Sequence, residues 1–311
     1  MMRSCRLSAL VFVILSMMLS AAGLSSAAEP PRVLKVGEKP ESVCRGFNSR
    51  LYVTMINGEE PGDGQVVCVD GDSVSEFCTG LNSPKGIVYV GGVLVVADET
   101  TLWKIDSSGS KTPIAARDNF PEPVEFLNDV AASADGRSVY VAEMSIPAPM
   151  FDPDGERKLW DRGGEKEASL PRKGRVYRVT LAGQITQVIA PGDEAMRFPN
   201  GVAVEGPADQ ERVYAADFFT GNIVWMADGR LQVLKTGLRG LDGITPVGDV
   251  FYGSSWTQGK VWKISRRDGS STVLLEGLTT AADFFHDEAG RQLIVPDMIA
   301  GTLTFLPLNQ K

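Results

Sequence analysis

An all-β chain built as a closed ring of six four-stranded blades is what this sequence predicts, on three observations. First, a polar residue, then a small or acidic one, then a β-branched run recurs with first positions at 41, 85, 128, 200, 242 and 283. The spacings are 44, 43, 72, 42 and 41 residues. Second, each copy carries three or four short apolar segments separated by turn dipeptides such as Asp135-Gly136, Asp228-Gly229 and Asp268-Gly269. Third, the two ends of the pattern complement each other. The sixth copy stops after three segments, at Leu306, and an unclaimed strand, Arg32 to Val36, precedes the first. Four short strands every ~40–45 residues mark a six-bladed β-propeller. The N-terminal strand would complete the last blade and remove two exposed sheet edges. A solenoid of the same strands is the alternative, but it needs no such matched ends.

Residues 1–28 stand apart from the repeat. Arg3 and Arg6 form a basic start, Leu7 to Leu24 is apolar, and Ser26-Ala27-Ala28 is a small-residue cleavage pattern. This reads as a secretory signal peptide, so an exported protein, periplasmic or extracellular, is expected. The alternative, an uncleaved membrane anchor, is disfavoured because no basic stop-transfer flank follows the run. Cleavage removes Arg3 and Arg6 and no acid, leaving 29 basic against 39 acidic residues, a charge of −10 over residues 29–311. Nucleic acid and anionic membrane surfaces are therefore poor partners.

Within each copy the first strand begins at the repeat motif: Glu41-Ser42-Val43, Lys85-Gly86-Ile87, Asn128-Asp129-Val130, Asn200-Gly201-Val202, Leu241-Asp242-Gly243-Ile244 and Asp283-Phe284-Phe285. The second strands are Leu51-Tyr52-Val53, Leu94-Val95-Val96, Val139-Tyr140-Val141, Val213-Tyr214-Ala215, Phe251-Tyr252 and Leu293-Ile294-Val295. Third strands mostly follow a glycine, as at Gly221-Asn222-Ile223 and Gly259-Lys260-Val261. Fourth strands include Gln184 to Val188 and Ser271 to Leu274. Acids recur at the ends of the second strands, Asp98, Glu143, Asp217 and Asp297, where they are expected to cap turns through backbone N–H groups. The 72-residue spacing comes from an insertion, 145–173, with six acids, six bases, Met150, Phe151 and Trp160. It should overhang the mouth where the repeat motifs begin, as a lid candidate. Asp152-Pro153-Asp154-Gly155 inside it lacks the later ligands of a calcium loop and reads as a turn.

Composition limits the chemistry. A single histidine, His286, excludes a two-histidine zinc site. Cys44, Cys68 and Cys78 leave an odd cysteine after cleavage, and a tight turn near Asp70-Gly71 would put Cys68 and Cys78 out of register. What remains is a ring of six polar residues at the blade starts: Glu41, Lys85, Asn128, Asn200, Asp242 and Asp283. Carboxylate and amide oxygens from Glu41, Asn200 and Asp242, with Asn128 nearby, suit a hard divalent cation. The plainer alternative is a wet polar channel with Asn-Gly and Asp-Gly as turn residues. Lys85 either stabilises an oxyanion or pairs with Glu41 or Asp283.

Glu41-Ser42, Asn128-Asp129, Asn200-Gly201-Val202 and Asp242-Gly243, in this order over the whole chain after residue 28, resemble the gluconolactonase/regucalcin (senescence marker protein) family of six-bladed propellers. The resemblance implies one divalent cation held by Glu41, Asn200 and Asp242. Calcium comes first, with magnesium, zinc or manganese as alternatives. It further implies substrate contact by Asn128 and Asp129. Sugar-lactone members place an arginine two residues before that Asn; here the position is Phe126, so a charged anchor is lost and a more apolar substrate fits better. The expected function is metal-dependent hydrolysis of a lactone or related ester, with Asp242 as ligand and general base and Lys85 at the substrate. The alternatives are a non-catalytic ligand- or protein-binding propeller and a propeller phosphotriesterase. The latter would use a channel histidine, whereas alternation turns His286 to the opposite face from Asp283.

Overall fold

The computed structural model describes residues 30–308; the signal peptide expected at 1–28 lies outside them. Six four-stranded antiparallel sheets form the blades, each in strict sequence order except the last. The first strands are Pro40–Arg45, Pro84–Val90, Leu127–Ala132, Pro199–Glu205, Leu241–Val247 and Phe285–Asp287. Those of blades one to five contact one another in turn, and that of blade six contacts that of blade one. The ring closes as expected: Arg32–Lys35 pairs with the third strand of blade six, Thr302–Pro307, in the register Arg32 to Phe305 and Lys35 to Thr302. Helix is nearly absent, with one five-residue α-helix, Glu165–Ser169, among the described residues.

Strand periodicity explains why the blades pack. Successive side chains point to opposite faces, and in a propeller both faces meet a neighbour. In blade one Val43 and Val53 pack against Ile294 and Leu303 of blade six, while Cys44 and Tyr52 pack against Ile87 and Leu94 of blade two. Each of the six blade interfaces has its own buried apolar cluster built this way. The second strands are therefore apolar on both faces; Val93–Asp98 is buried from Leu94 onward. The three cysteines are free and buried. Cys68 faces Ser75 and Cys78 faces Val66 across the hairpin, out of register with each other.

A seventh apolar cluster lies outside the blade interfaces. It joins Met150, Leu159 and Leu170 of the insertion to Phe198, Phe218 and Phe219 of blade four. Hydrogen bonds to main-chain carbonyls fasten the insertion down: Arg162 donates to Thr220 O at 3.2 Å, Arg239 Nη2 to Trp160 O at 2.6 Å, and Arg157 to Thr279 O. The insertion is thus tied to blades four, five and six.

Candidate functional site

The first strands of blades one to five share one irregularity. Pro40 faces Met55 and Val43 faces Val53, so two residues oppose one. The same bulge recurs between Pro84 and Ile87, Leu127 and Val130, Pro199 and Val202, and Leu241 and Ile244. A bulge re-aims side chains. Its first residue in each blade is Glu41, Lys85, Asn128, Asn200 or Asp242, and all five line one pocket of about 170 Å³. All five are at most 9% exposed.

The second bulge residue turns into the channel. Asp129 was expected at the substrate beside Asn128. Its carboxylate instead accepts the N–H of Val130 at 2.6 Å and of Val202 at 2.7 Å, bridging blades three and four, and it lines the far end of the channel. The reason is the bulge, which leaves peptide N–H groups outside the ladder. At Ser42 and Gly243 the hydroxyls of Thr54 and Ser254 take them, at 3.0 and 2.9 Å. Glycine holds this position in blades two, four and five, where the next first strand is too close for a side chain; a Cβ on Gly86 would overlap the Asp129 and Val130 backbone. A Cβ on Gly201 would overlap the Asp242 carbonyl, and one on Gly243 would overlap the Asp283 carboxylate.

Asp283 corresponds to Asp129, not to Asn128. Phe285 pairs with Ile294, and the N–H of Ala282 bonds Pro296 O. That register makes Ala282 the sixth member of the ring, so one of six expected polar positions is apolar. Ser42 Oγ donates to the Asp283 carboxylate inside the channel. His286 also lies at the far end, half-buried, its ring 5.9 Å from Tyr252, and burial lowers its pKa.

The recurring acids hold the ring in place. Each carboxylate accepts the N–H groups three and two residues ahead of the ring residue. Asp98 binds Asn82 and Ser83, Glu143 binds Glu125 and Phe126, Asp217 binds Arg197 and Phe198, and Asp297 binds Thr279 and Thr280. Three of them also take an N–H in the following turn: Ser145, Thr220 and Ala300. They are caps, as expected, and they position the loop that delivers each ring side chain.

Burial dominates the electrostatics. Glu41 is pushed up to about 8 by burial and by Asp283, against the pull of the Lys85 ammonium. Asp242 is raised well above the carboxylate range by burial, Glu41 and Asp283. Burial lowers Lys85. Its Nζ donates to Ser83 Oγ at 3.0 Å and lies 5.4 Å from the Phe126 ring. Asn128 Nδ2 donates to Met144 Sδ at 3.3 Å. Among the described residues, Glu41 Oε2, Asn200 Oδ1 and Asp242 Oδ1 are buried with no hydrogen-bond partner. Buried oxygens are rarely left so, and these three are the expected cation ligands. No group of three His, Cys, Asp or Glu side chains is placed to hold a metal among the described residues. The set here is two carboxylates and an amide, with a second amide beside it; oxygen donors throughout fit a hard cation.

The fold has counterparts among solved structures. Solved gluconolactonases share this fold. One from Xanthomonas campestris superposes with a TM-score of 0.58 at 15% identity, over 92% of this chain and 99% of its own. A structure provisionally assigned as a gluconolactonase gives 0.61 at 15% identity, over 91% and 96%. A chain of the nidogen/laminin complex gives 0.54 at 14% identity, over 73% and 75%. At these identities the likeness establishes the propeller fold alone. No protein-family model matches the chain, and no curated protein does.

Phe126, Met150 and Phe151 of the pocket walls were singled out in the sequence; the other four large apolar side chains were not. Met144, Phe218, Trp256 and Met298 each follow the last residue of a second strand, the same position in four blades. Read down the repeat, that position gives Ile56, Glu99, Met144, Phe218, Trp256 and Met298. The run of large apolar side chains at a turn was the available signal.

Proposed function

We propose that this chain is an exported, metal-dependent hydrolase of a lactone or related ester. One observation carries the reading: Glu41, Asn200 and Asp242 each present a partnerless buried oxygen in one pocket at the channel mouth. Glu41, Asn200 and Asp242 would hold a divalent cation, calcium first, which supplies Lewis-acid polarisation of a carbonyl when bound. Asn128 would orient the substrate, and the Lys85 ammonium would stabilise the negative charge that develops on its carbonyl oxygen. Asp242 would take a proton from the attacking water. The water oxygen joins the carbonyl carbon, the ring C–O bond breaks, and the proton passes to the leaving alkoxide. The product is a hydroxy acid. The gluconolactonases of the same fold support the lactone class.

A second reading is a non-catalytic ligand-binding propeller. The main-chain fastenings of the insertion favour it, since a tied cover retains a ligand. A phosphotriesterase reading loses ground because His286 lies at the far end of the channel. Asp242→Ala tests the first. Loss of both cation and lactone turnover supports the hydrolase; lactone turnover undiminished in that variant overturns it.

A further inference from the structure

The substrate class can be read from what stands above the polar ring. The pocket floor carries every charged and amide side chain: Glu41, Lys85, Asn128, Asn200 and Asp242. The walls are apolar. Phe126 and Met144 come from blade three, Met150 and Phe151 from the insertion, Phe218 and Trp256 from blades four and five. Phe151, Phe218 and Trp256 form a triangle whose three centroid separations are each 6.2 Å. Apart from one indole N–H and two weakly accepting thioether sulfurs, one of them already engaged by Asn128 Nδ2, these six side chains offer only apolar surface.

A sugar lactone carries hydroxyls around its ring. Seated with its carbonyl on the floor, it would place them against these walls. Each hydroxyl buried without a partner costs about 1–3 kcal/mol. An alkyl or aryl substituent placed there gains about 0.8 kcal/mol per buried CH₂. Size bounds the ligand without choosing its polarity. A cavity of about 150 Å³ takes a benzene ring, and this pocket, about 170 Å³ and open at one side, takes one ring with a short substituent.

We infer that the substrate is a small hydrophobic lactone or ester, its carbonyl on the polar floor and its alkyl or aryl part against the aromatic triangle and methionines. The inference rests on the hydrolase reading above and adds the substrate to it. Hydrolysis is the step already written: water oxygen to carbonyl carbon, ring C–O bond broken, proton to the alkoxide.

The test is acid release by the calcium-supplemented protein from three lactones: glucono-δ-lactone, δ-hexalactone and dihydrocoumarin. Binding of the unreactive lactam of δ-hexalactone's shape is measured alongside by calorimetry. The expected result is a kcat/KM for an apolar lactone about 100-fold or more above that for gluconolactone. Phe126→Arg should narrow that ratio. Equal or better turnover of gluconolactone overturns the inference and leaves the hydrolase standing. Lactam binding without turnover of any lactone keeps the apolar pocket and overturns the hydrolase. Neither binding nor turnover overturns both.

Discussion

The carboxylate of Asp217 accepts the backbone N–H of Phe198 at 2.5 Å, two residues ahead of Asn200. It takes the N–H of Arg197 and of Thr220 as well, at 2.6 and 2.7 Å. One buried acid thus ties the loop before a ring residue to the turn after the second strand.

Replacing that acid should be costly. Asp217→Ala strands three N–H groups in a fully buried place, at about 1–3 kcal/mol each. The expected loss is at least about 3 kcal/mol, or roughly 6–12 °C in Tm for a domain of this size. Thermal unfolding followed by circular dichroism reads it, and a melting temperature equal to wild type would contradict the capping account.

Gly201 tests the close approach of neighbouring first strands. Gly201→Ala must push back the Asp242 carbonyl or distort the bulge. A destabilisation of about 1–3 kcal/mol is expected, as for other overpacked sites, together with weaker calcium binding because Asn200 and Asp242 both move. Wild-type stability and wild-type calcium affinity in this variant would show that the strands are further apart than described.

Asp283 should make the metal-free protein less stable as pH rises. Burial lifts its carboxyl from 3.8 to about 6, against hydrogen bonds from Ser42 and Phe284 that pull it down. Between those values the folded form holds the proton that the unfolded chain releases. Its contribution is therefore full below about pH 4 and is lost as pH rises through about 6. Chemical denaturation at pH 4, 5 and 6 in chelator should show this fall, and Asp283→Asn should flatten it. An identical slope in the variant would remove Asp283 as its source.

Arg239 is a fastening of the insertion. It donates to Trp160 O and to Phe219 O, at 2.6 and 2.9 Å. In Arg239→Ala the loss of the one bond that reaches the insertion, that to Trp160 O, about 1 kcal/mol, should raise the open population severalfold. Limited proteolysis should cut between residues 152 and 164 correspondingly faster. Cleavage at the wild-type rate would mean that the apolar cluster around Met150 and Phe198 holds the cover alone.

The repeat made the fold legible. Six copies, the matched ends and the alternation of apolar residues predicted the blades, including the pairing of Arg32–Lys35 with the final strand. The bulges were not legible, because one extra residue in a strand leaves no mark on composition or period. That is why Asp129 was placed with Asn128, and why Asp283 was given the ring position that belongs to Ala282. The caps at Asp98, Glu143, Asp217 and Asp297 were read from their place before a turn. Their second role, holding the ring loop, depends on contacts 15–20 residues apart. The apolar ring at Met144, Phe218, Trp256 and Met298 was present in the repeat, but a large apolar residue at a turn reads as ordinary packing until a pocket is seen beneath it.

The central claim is that Glu41, Asn200 and Asp242 hold a divalent cation on which lactone hydrolysis depends. Elemental analysis of the purified protein, joined to a lactone and ester panel run with and without chelator, tests it most directly. The account predicts one bound divalent cation per chain, turnover of a lactone, and loss of that turnover with chelator and recovery with added calcium. Protein that carries no metal, yet hydrolyses the same lactone at the same rate in chelator, would contradict it.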